Sequence, residues 1–268
     1  MPTLLGIPLD GNSSYLRGAA GAPAKIRAAL HCDASNQWSE LAVDVGASAA
    51  FADAGDLQLH DSREKVEEDF TEIERAVGEL LEKNEQPISL GGDHSITYPI
   101  LKAFAPHYPQ LTIVHFDAHP DLYNEFEGSR VSHACPFARI MEEGLAKRLV
   151  QVGIRTLNQH QREQAKKFGV EMVQMPALPA YNKLKIRGPV YISFDMDVLD
   201  PAFAPGISHR EPGGMTVREA IAHLHAIEAT IVGADIVEYN PEQDLAGMTA
   251  TVAAKVLKEI LGKMIAQK

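Results

Sequence analysis

An α/β fold built on a parallel, doubly wound sheet is predicted by three features of the chain. Apolar strand-like runs alternate with helix-like segments almost from end to end. The connections between them are mostly short. Several strand runs have a continuous apolar character rather than an alternating one, as in Leu111-Thr112-Ile113-Val114, which is the pattern of parallel strands covered on both faces.

The elements follow in order. Strand-like runs fall at 3–7, 86–90, 111–117, 148–153, 170–174, 189–195 and 230–237, several of them rich in Val and Ile. In 62–83, Val66, Phe70, Ile73, Val77 and Leu80 recur at spacings of four and three between charged residues, the stripe of an amphipathic helix. The segment 248–265 repeats it with Val252, Val256, Leu257, Ile260, Leu261 and Met264. Shorter helices fit 23–30, where Pro23 suits a first turn, and 95–104, 133–143, 157–167 and 216–228. The longest irregular stretches, 8–22, 118–132 and 198–214, carry Gly, Asn, Ser or Pro at turn positions. No composition break, repeat or low-complexity run marks a linker, so one domain over 1–268 is expected.

Composition narrows the function. A formal net charge of −11 provides neither phosphate neutralisation nor a polybasic anchor, which argues against nucleic-acid and anionic-membrane partners. No stretch approaches the roughly 20 apolar residues of a bilayer span, and the first residues do not read as a signal peptide. The two cysteines, Cys32 and Cys135, make no disulfide framework, so a cytoplasmic setting is expected.

Three short stretches carry the chemistry: Gly91-Gly92-Asp93-His94-Ser95, Asp117-Ala118-His119-Pro120-Asp121 and Ser193-Phe194-Asp195-Met196-Asp197-Val198-Leu199-Asp200-Pro201. Each follows a buried-strand pattern, and the second and third are followed directly by long loops. In open α/β sheets the binding crevice lies beyond the carboxyl ends of the strands. Alternate residues of an extended chain point the same way, so Asp117, His119 and Asp121 share one face, as do Asp195 and Asp197. With His94, two imidazoles and four carboxylates aim at one point. Clustered carboxylates repel at low dielectric unless cations separate them, and a two-metal site is the simplest account. A donor set rich in oxygen with two imidazoles suits Mn²⁺, with Zn²⁺, Fe²⁺, Co²⁺ or Ni²⁺ as competitors. The other reading of these residues is that they are N-caps and turn formers, but three segments would then share ligand spacing by accident. Asp93 and Asp200 flank the set and are expected to support it or stabilise turns rather than ligate. Gly91 and Gly92 are expected to allow the turn that brings His94 back to the site. His115 is left unassigned, and Cys135 reads as a small buried hydrophobe.

The motif trio strongly resembles the ureohydrolase family of arginases, agmatinases and relatives, over nearly the whole chain from Leu5-Gly6-Ile7-Pro8 to the C-terminal helix. The stretches 117–123, 132–142 and 200–206 look most like those of plant-type arginases. The resemblance implies a three-layer αβα fold and a binuclear manganese centre. One ion would be held by His94, Asp117, Asp121 and Asp195, and the other by His119, Asp117, Asp195 and Asp197. It implies hydrolysis of a small guanidino compound to urea and a primary amine, and a homo-oligomer, trimeric or hexameric. Glu238, after the strand 230–237, matches the position that binds the guanidinium, a cation suited to carboxylates; out of context it would read equally well as a loop glutamate. His133 matches the family's proton shuttle, a role that a group titrating near neutrality can fill.

The guanidino compound is less defined. Animal-type arginases carry an Asn where this chain has Tyr123, so specificity is expected from 123–132. There Ser129 and Arg130 could address an α-carboxylate, whereas Glu125 and Glu127 could address an amine. Similarity to plant-type arginases favours L-arginine, with agmatine or another ω-guanidino acid as alternatives. Two other classes are a deacylase or amidase on the same fold and a catalytically silent homologue. The first typically uses one zinc ion and the second usually lacks a ligand, and neither description fits the complete set of six.

Overall fold

The computed structural model describes residues 1–47, 49–180 and 186–267. Its centre is one sheet of eight strands: β1 (Pro2–Ile7), β2 (Ala52–Asp56), β3 (Gln86–Gly91), β4 (Thr112–Phe116), β5 (Arg148–Ile154), β6 (Glu171–Gln174), β7 (Val190–Asp195) and β8 (Ile231–Val237). They lie in the order β2-β1-β3-β8-β7-β4-β5-β6, and every pairing is parallel. Seven helices cover it: α1 (Ala22–Leu30), α2 (Val66–Glu82), α3 (Thr97–Phe104), α4 (Pro136–Glu142), α5 (Gln159–Phe168), α6 (Val217–His225) and α7 (Met248–Ala266). The apolar faces of α1, α6 and α7 join one core on one side of the sheet, and those of α2 to α5 join a second core on the other. The expected α/β fold and its three layers are thus observed.

Local chemistry explains where elements differ from expectation. The edge strand β2 has no apolar run: its sequence Ala-Asp-Ala-Gly-Asp is largely exposed, so hydropathy gives it no strand signal. It is held on β1 by backbone pairing and by Arg27, which donates to Asp53 (2.7 Å) and also pairs with Asp56. The helix expected from residue 133 begins only at Pro136, whose fixed φ favours a first-turn position. Residues 132–135 form a turn instead, which leaves His133 outside the helix.

Four adjacent strands, β3-β8-β7-β4, end at the three motifs and Glu238. The register beneath is strict. His115 lies opposite Gln151 of β5 and Ser193 of β7, Ser193 opposite Asp235 of β8, and Asp235 opposite Ser89 of β3. Among the described residues no helix is long and apolar enough to cross a membrane.

Glycine is required at Gly92 by close approach and not by a left-handed backbone. A Cβ there would lie 1.8 Å from the carbonyl oxygen of Leu9, where the chain after β1 crosses the end of β3. Gly92→Ala must push these backbones apart and shift His94. It is expected to cost about 1–3 kcal/mol in urea unfolding; a variant as stable as the parent would show that the approach is soft.

Candidate metal centre

After β3 the chain makes one tight turn, His94–Ile96, in which Asp93 accepts the backbone N–H of Ser95 at 3.0 Å. After β4, Asp117 leads into a loop in which Asp121 has a left-handed backbone, φ 47°. After β7 a second tight turn follows, where Asp195 accepts the N–H of Asp197 at 2.7 Å. After β8, Glu238 is also left-handed, φ 64°, and its N–H donates to the Gly92 carbonyl at 2.8 Å. Non-glycine residues with this backbone are uncommon and gather at functional sites. Here both bend a carboxylate back over the sheet's edge.

The donors converge. His94 Nδ1 lies 3.2 Å from Asp117 Oδ2, 3.1 Å from Asp121 Oδ2 and 3.1 Å from Asp195 Oδ2, and it is buried without a hydrogen-bond partner. A nitrogen nearly equidistant from three carboxylate oxygens matches donors sharing one ion at about 2.0–2.2 Å. A second group faces it. His119 Nδ1 is 2.8 Å from Asp197 Oδ2 and 3.4 Å from Asp117 Oδ1. Asp117 therefore presents one oxygen to each group.

Electrostatics points the same way. Burial, then Asp197 and Asp117, push the Asp195 carboxyl well above the ordinary carboxylate range. Burial and Asp117 push Asp197 up to about 6. Burial alone would raise Asp117 too, but the imidazoles of His115, His119 and His94 beside it hold it well below. Without cations the cluster must carry protons on its carboxylates and imidazoles; divalent ions replace them. The residues present fit a pair of metal ions.

Beside the cluster is a cavity of about 470 Å³ whose lining includes His119, Asp121, Asp195, Asp197, His133 and Glu238. Glu238 Oε1 accepts the His94 N–H at 2.9 Å and lies 2.9 Å from His133 Nδ1. His133 Nε2 meets the Ser14 hydroxyl at 2.8 Å. Burial pulls the His133 pKa down, but Glu238 overcomes it and lifts it to about 9. Burial opposes ionisation of Glu238, yet His133 holds its carboxyl below the usual range. The two form a buried ion pair.

The eight residues His94, Asp117, His119, Asp121, Asp195, Asp197, His133 and Glu238 are thus brought together, and Tyr123 lines the cavity, its hydroxyl 2.6 Å from Asn158 Nδ2. Ser129 and Arg130 are not. Arg130 turns to the outer surface, where it donates to Asn124 Oδ1 and Glu142 Oε2, both at 2.8 Å. Ser129 is tied into its own turn with Phe126 and Val131. Local pairing invisible in a linear motif, with Glu142 for Arg130 and within the turn for Ser129, takes both from the site. Glu125 and Glu127 are also absent from the lining. Asp93 is buried and accepts from Asn12 and Ser95, tying the 8–14 loop to the His94 turn. Asp200 lies nearer the surface and accepts the N–H groups of Ala202, Gly213 and Gly214, so it shapes the 198–214 loop. Cys135 is buried, its thiol pushed up to about 12 by burial. Sequence reading missed Ser14, Thr156, Asn158, Gln161 and His209 in the lining. His209 falls in the loop after the third motif, and that position was the available signal.

Comparison with known proteins agrees with this geometry. The sequence profile described as the Arginase family matches residues 2–262. The chain belongs to the arginase family. It is 46% identical to "Arginase 1, mitochondrial" of Arabidopsis thaliana, over 98% of this chain and 80% of that protein. It is 36% identical to the agmatinase of Bacillus subtilis, over 96% and 90%. The solved structure of arginase from Medicago truncatula superposes with a TM-score of 0.91 at 41% identity, covering 98% of this chain and 87% of that one. This arginase-family member is a hydrolase acting on guanidino C–N bonds.

The pKa shifts set the sign of a pH dependence. In the metal-free protein His94, His119, His133, Asp93 and Asp197 are raised. Each contributes stability that is complete below its unfolded pKa and lost as pH rises through the folded one. Asp117 and Glu238 are lowered, and their contribution is already complete above the unfolded carboxylate range. With Asp93 at about 7 and His133 at about 9, the metal-free protein should lose stability from pH 6 to pH 9. Metal must displace the protons on the ligand groups His94, His119 and Asp197, so its stabilising effect should grow as pH rises. Thermal unfolding with and without a divalent cation reads both trends; a metal-free protein that gains stability would contradict them.

Proposed function

We propose that this enzyme hydrolyses L-arginine to L-ornithine and urea with two Mn²⁺ ions. His94, Asp117, Asp121 and Asp195 would hold one ion, and His119, Asp117, Asp195 and Asp197 the other. The observation that carries the reading is Glu238: a buried carboxylate held ionised by His133 at the edge of a six-donor cluster, with Oε1 engaged by the protein and, among the described residues, no hydrogen bond to Oε2. A cation with N–H donors is the complement of that oxygen. The donor set, four carboxylates and two imidazoles without a thiolate, favours Mn²⁺ among the divalent ions.

The chemistry divides among the residues. Two ions, when bound, lower the pKa of a water and so supply the nucleophile at neutral pH. Glu238 holds the guanidinium in one orientation, because its own carboxylate is fixed by the His94 N–H and by His133. Attack at the guanidinium carbon makes an amine the leaving group, which needs a proton. His133 is kept protonated by Glu238 and donates it.

The choice of arginine rests on the rim and on the plant arginase relatives. The acidic lining residues, Asp121, Asp195, Asp197 and Glu238, are buried. The more exposed part of the lining includes Tyr123, Thr156 and Asn158, neutral hydrogen-bonding groups. Asn158 caps α5, whose first turn opens on the cavity, and a helix N-terminus favours a carboxylate over an ammonium. Both substrates carry an ammonium at that end; only arginine adds a carboxylate, and that is the group the start of α5 favours.

Urea release from L-arginine and agmatine at equal concentration tests the substrate. Faster release from arginine is expected; preference for agmatine would make the enzyme an agmatinase, and silence on both with two metals bound would refute the choice. Glu238→Gln should lower kcat/KM by roughly 10²-fold or more, the order expected for losing one partner of a buried charge pair. His133→Asn should lower kcat by about 10²–10⁴-fold, with a smaller change in KM. Comparable loss in kcat and KM effects at both positions would break the division of roles.

A further inference from the structure

Beneath the donors runs a row of polar side chains that a buried sheet does not need for stability. Ser89, Asp235, Ser193, His115 and Gln151 stand in register on the adjacent strands β3-β8-β7-β4-β5, all fully buried. Two hydrogen-bond chains in this row end on donors around His94 Nδ1.

In the first, the Asp235 carboxylate accepts from the hydroxyls of Thr97 (2.9 Å), Tyr191 (2.8 Å) and Ser193 (2.8 Å). The one Ser193 proton is committed there, so its oxygen accepts from His94 Nε2 at 2.9 Å. His94 thus carries its proton on Nε2 and turns a bare lone pair on Nδ1 to the cluster. In the second, the Gln151 amide Nε2 donates to the Pro120 carbonyl at 2.6 Å and lies 3.0 Å from His115 Nδ1. The Pro120 contact fixes the amide orientation, since two oxygens could not meet there. An amide nitrogen cannot accept, so His115 Nδ1 is the acceptor. Its proton sits on Nε2, 2.6 Å from Asp117 Oδ2.

We propose that His115, held in one tautomer by Gln151, is a positioning residue for the shared carboxylate of Asp117 and acts on the ion that His94 binds. The inference rests on the binuclear reading above. Oδ2 is the oxygen facing His94, at 3.2 Å, and it is the one His115 grips. Oδ1 faces His119 and takes that residue's backbone N–H at 2.5 Å. Phe137 stacks on the His115 ring at 4.0 Å and holds its plane. His119 makes no hydrogen bond to the row: its Nδ1 faces Asp197. Imidazoles and their partners that orient ligands in this way commonly change metal affinity by about 10–100-fold when lost.

The test is Mn²⁺ titration of metal-free protein, by equilibrium dialysis with elemental analysis and by electron paramagnetic resonance. Wild type should take up two ions and show a spin-coupled pair; uptake of fewer would refute the binuclear reading itself. His115→Phe keeps the ring stack and removes the donor. One of its two ions should be weakened about 10–100-fold and the other left unchanged, so that at limiting Mn²⁺ an isolated-ion spectrum replaces the coupled one. Gln151→Leu should weaken the same ion less, and should add nothing in the His115→Phe background, because it acts through the imidazole. Wild-type affinity for both ions in His115→Phe, equal weakening of both, or additive effects would each overturn the proposal. If His115→Phe does not fold, selective weakening by Gln151→Leu alone decides: one ion affected supports it, and none or both refutes it.

Discussion

Four carboxylates buried within a few ångströms of one another are the constraint on which the rest of this structure depends. Asp117, Asp121, Asp195 and Asp197 cannot all ionise at low dielectric without compensating charge. Burial and mutual repulsion push Asp195 and Asp197 towards protonation, while three neighbouring imidazoles favour the ionised form of Asp117. Protons are one way to relieve it, divalent cations the other. A protein that keeps such a cluster rather than an apolar plug has a use for the cations, and the cavity beside it supplies the use.

The sheet makes the cluster possible. Parallel strands all end at the same edge, so β3, β7 and β4 can each deliver donors to one point, with β8 between β3 and β7 delivering Glu238. Helices on both faces keep water from the central strands, and the carboxyl edge of these strands opens on the cavity. The tight turns after β3 and β7 fix the backbone just past each strand, so His94, Asp195 and Asp197 sit on rigid elements, while His119 and Asp121 stand at the start of the loop that follows β4.

Much of this was legible in the sequence, for a physical reason. Each apolar run stops at the Asp and His of a motif, so strand and site are read together; the expected pleat does not carry the spacing, because Asp121 has a left-handed backbone in a loop and Asp197 lies in a tight turn past its strand. The six candidate ligands, Glu238 and His133 were found that way or by their motif's resemblance. What stayed hidden depended on partners distant in sequence. Arg130 looked available until Asn124 and Glu142 folded against it. β2 gave no apolar signal because an edge strand held by Arg27 needs none. His115 could be interpreted only once the register put Gln151 beside it.

Glu238 shows how the fold and the chemistry meet in one side chain. A free carboxylate would offer a guanidinium two parallel hydrogen bonds, but here Oε1 is spent on the His94 N–H and on His133. Only Oε2 is left for an incoming cation, and the carboxylate cannot rotate to offer the other. The contact is therefore directional, set before any ligand arrives, and it needs no reorganisation when one does. The same Oε1 contact keeps His133 charged next to where a leaving amine would form. On the proposed reading, one buried glutamate, bent into place by a left-handed backbone, would both orient the cation and maintain the proton source, so neither role could be changed without disturbing the other.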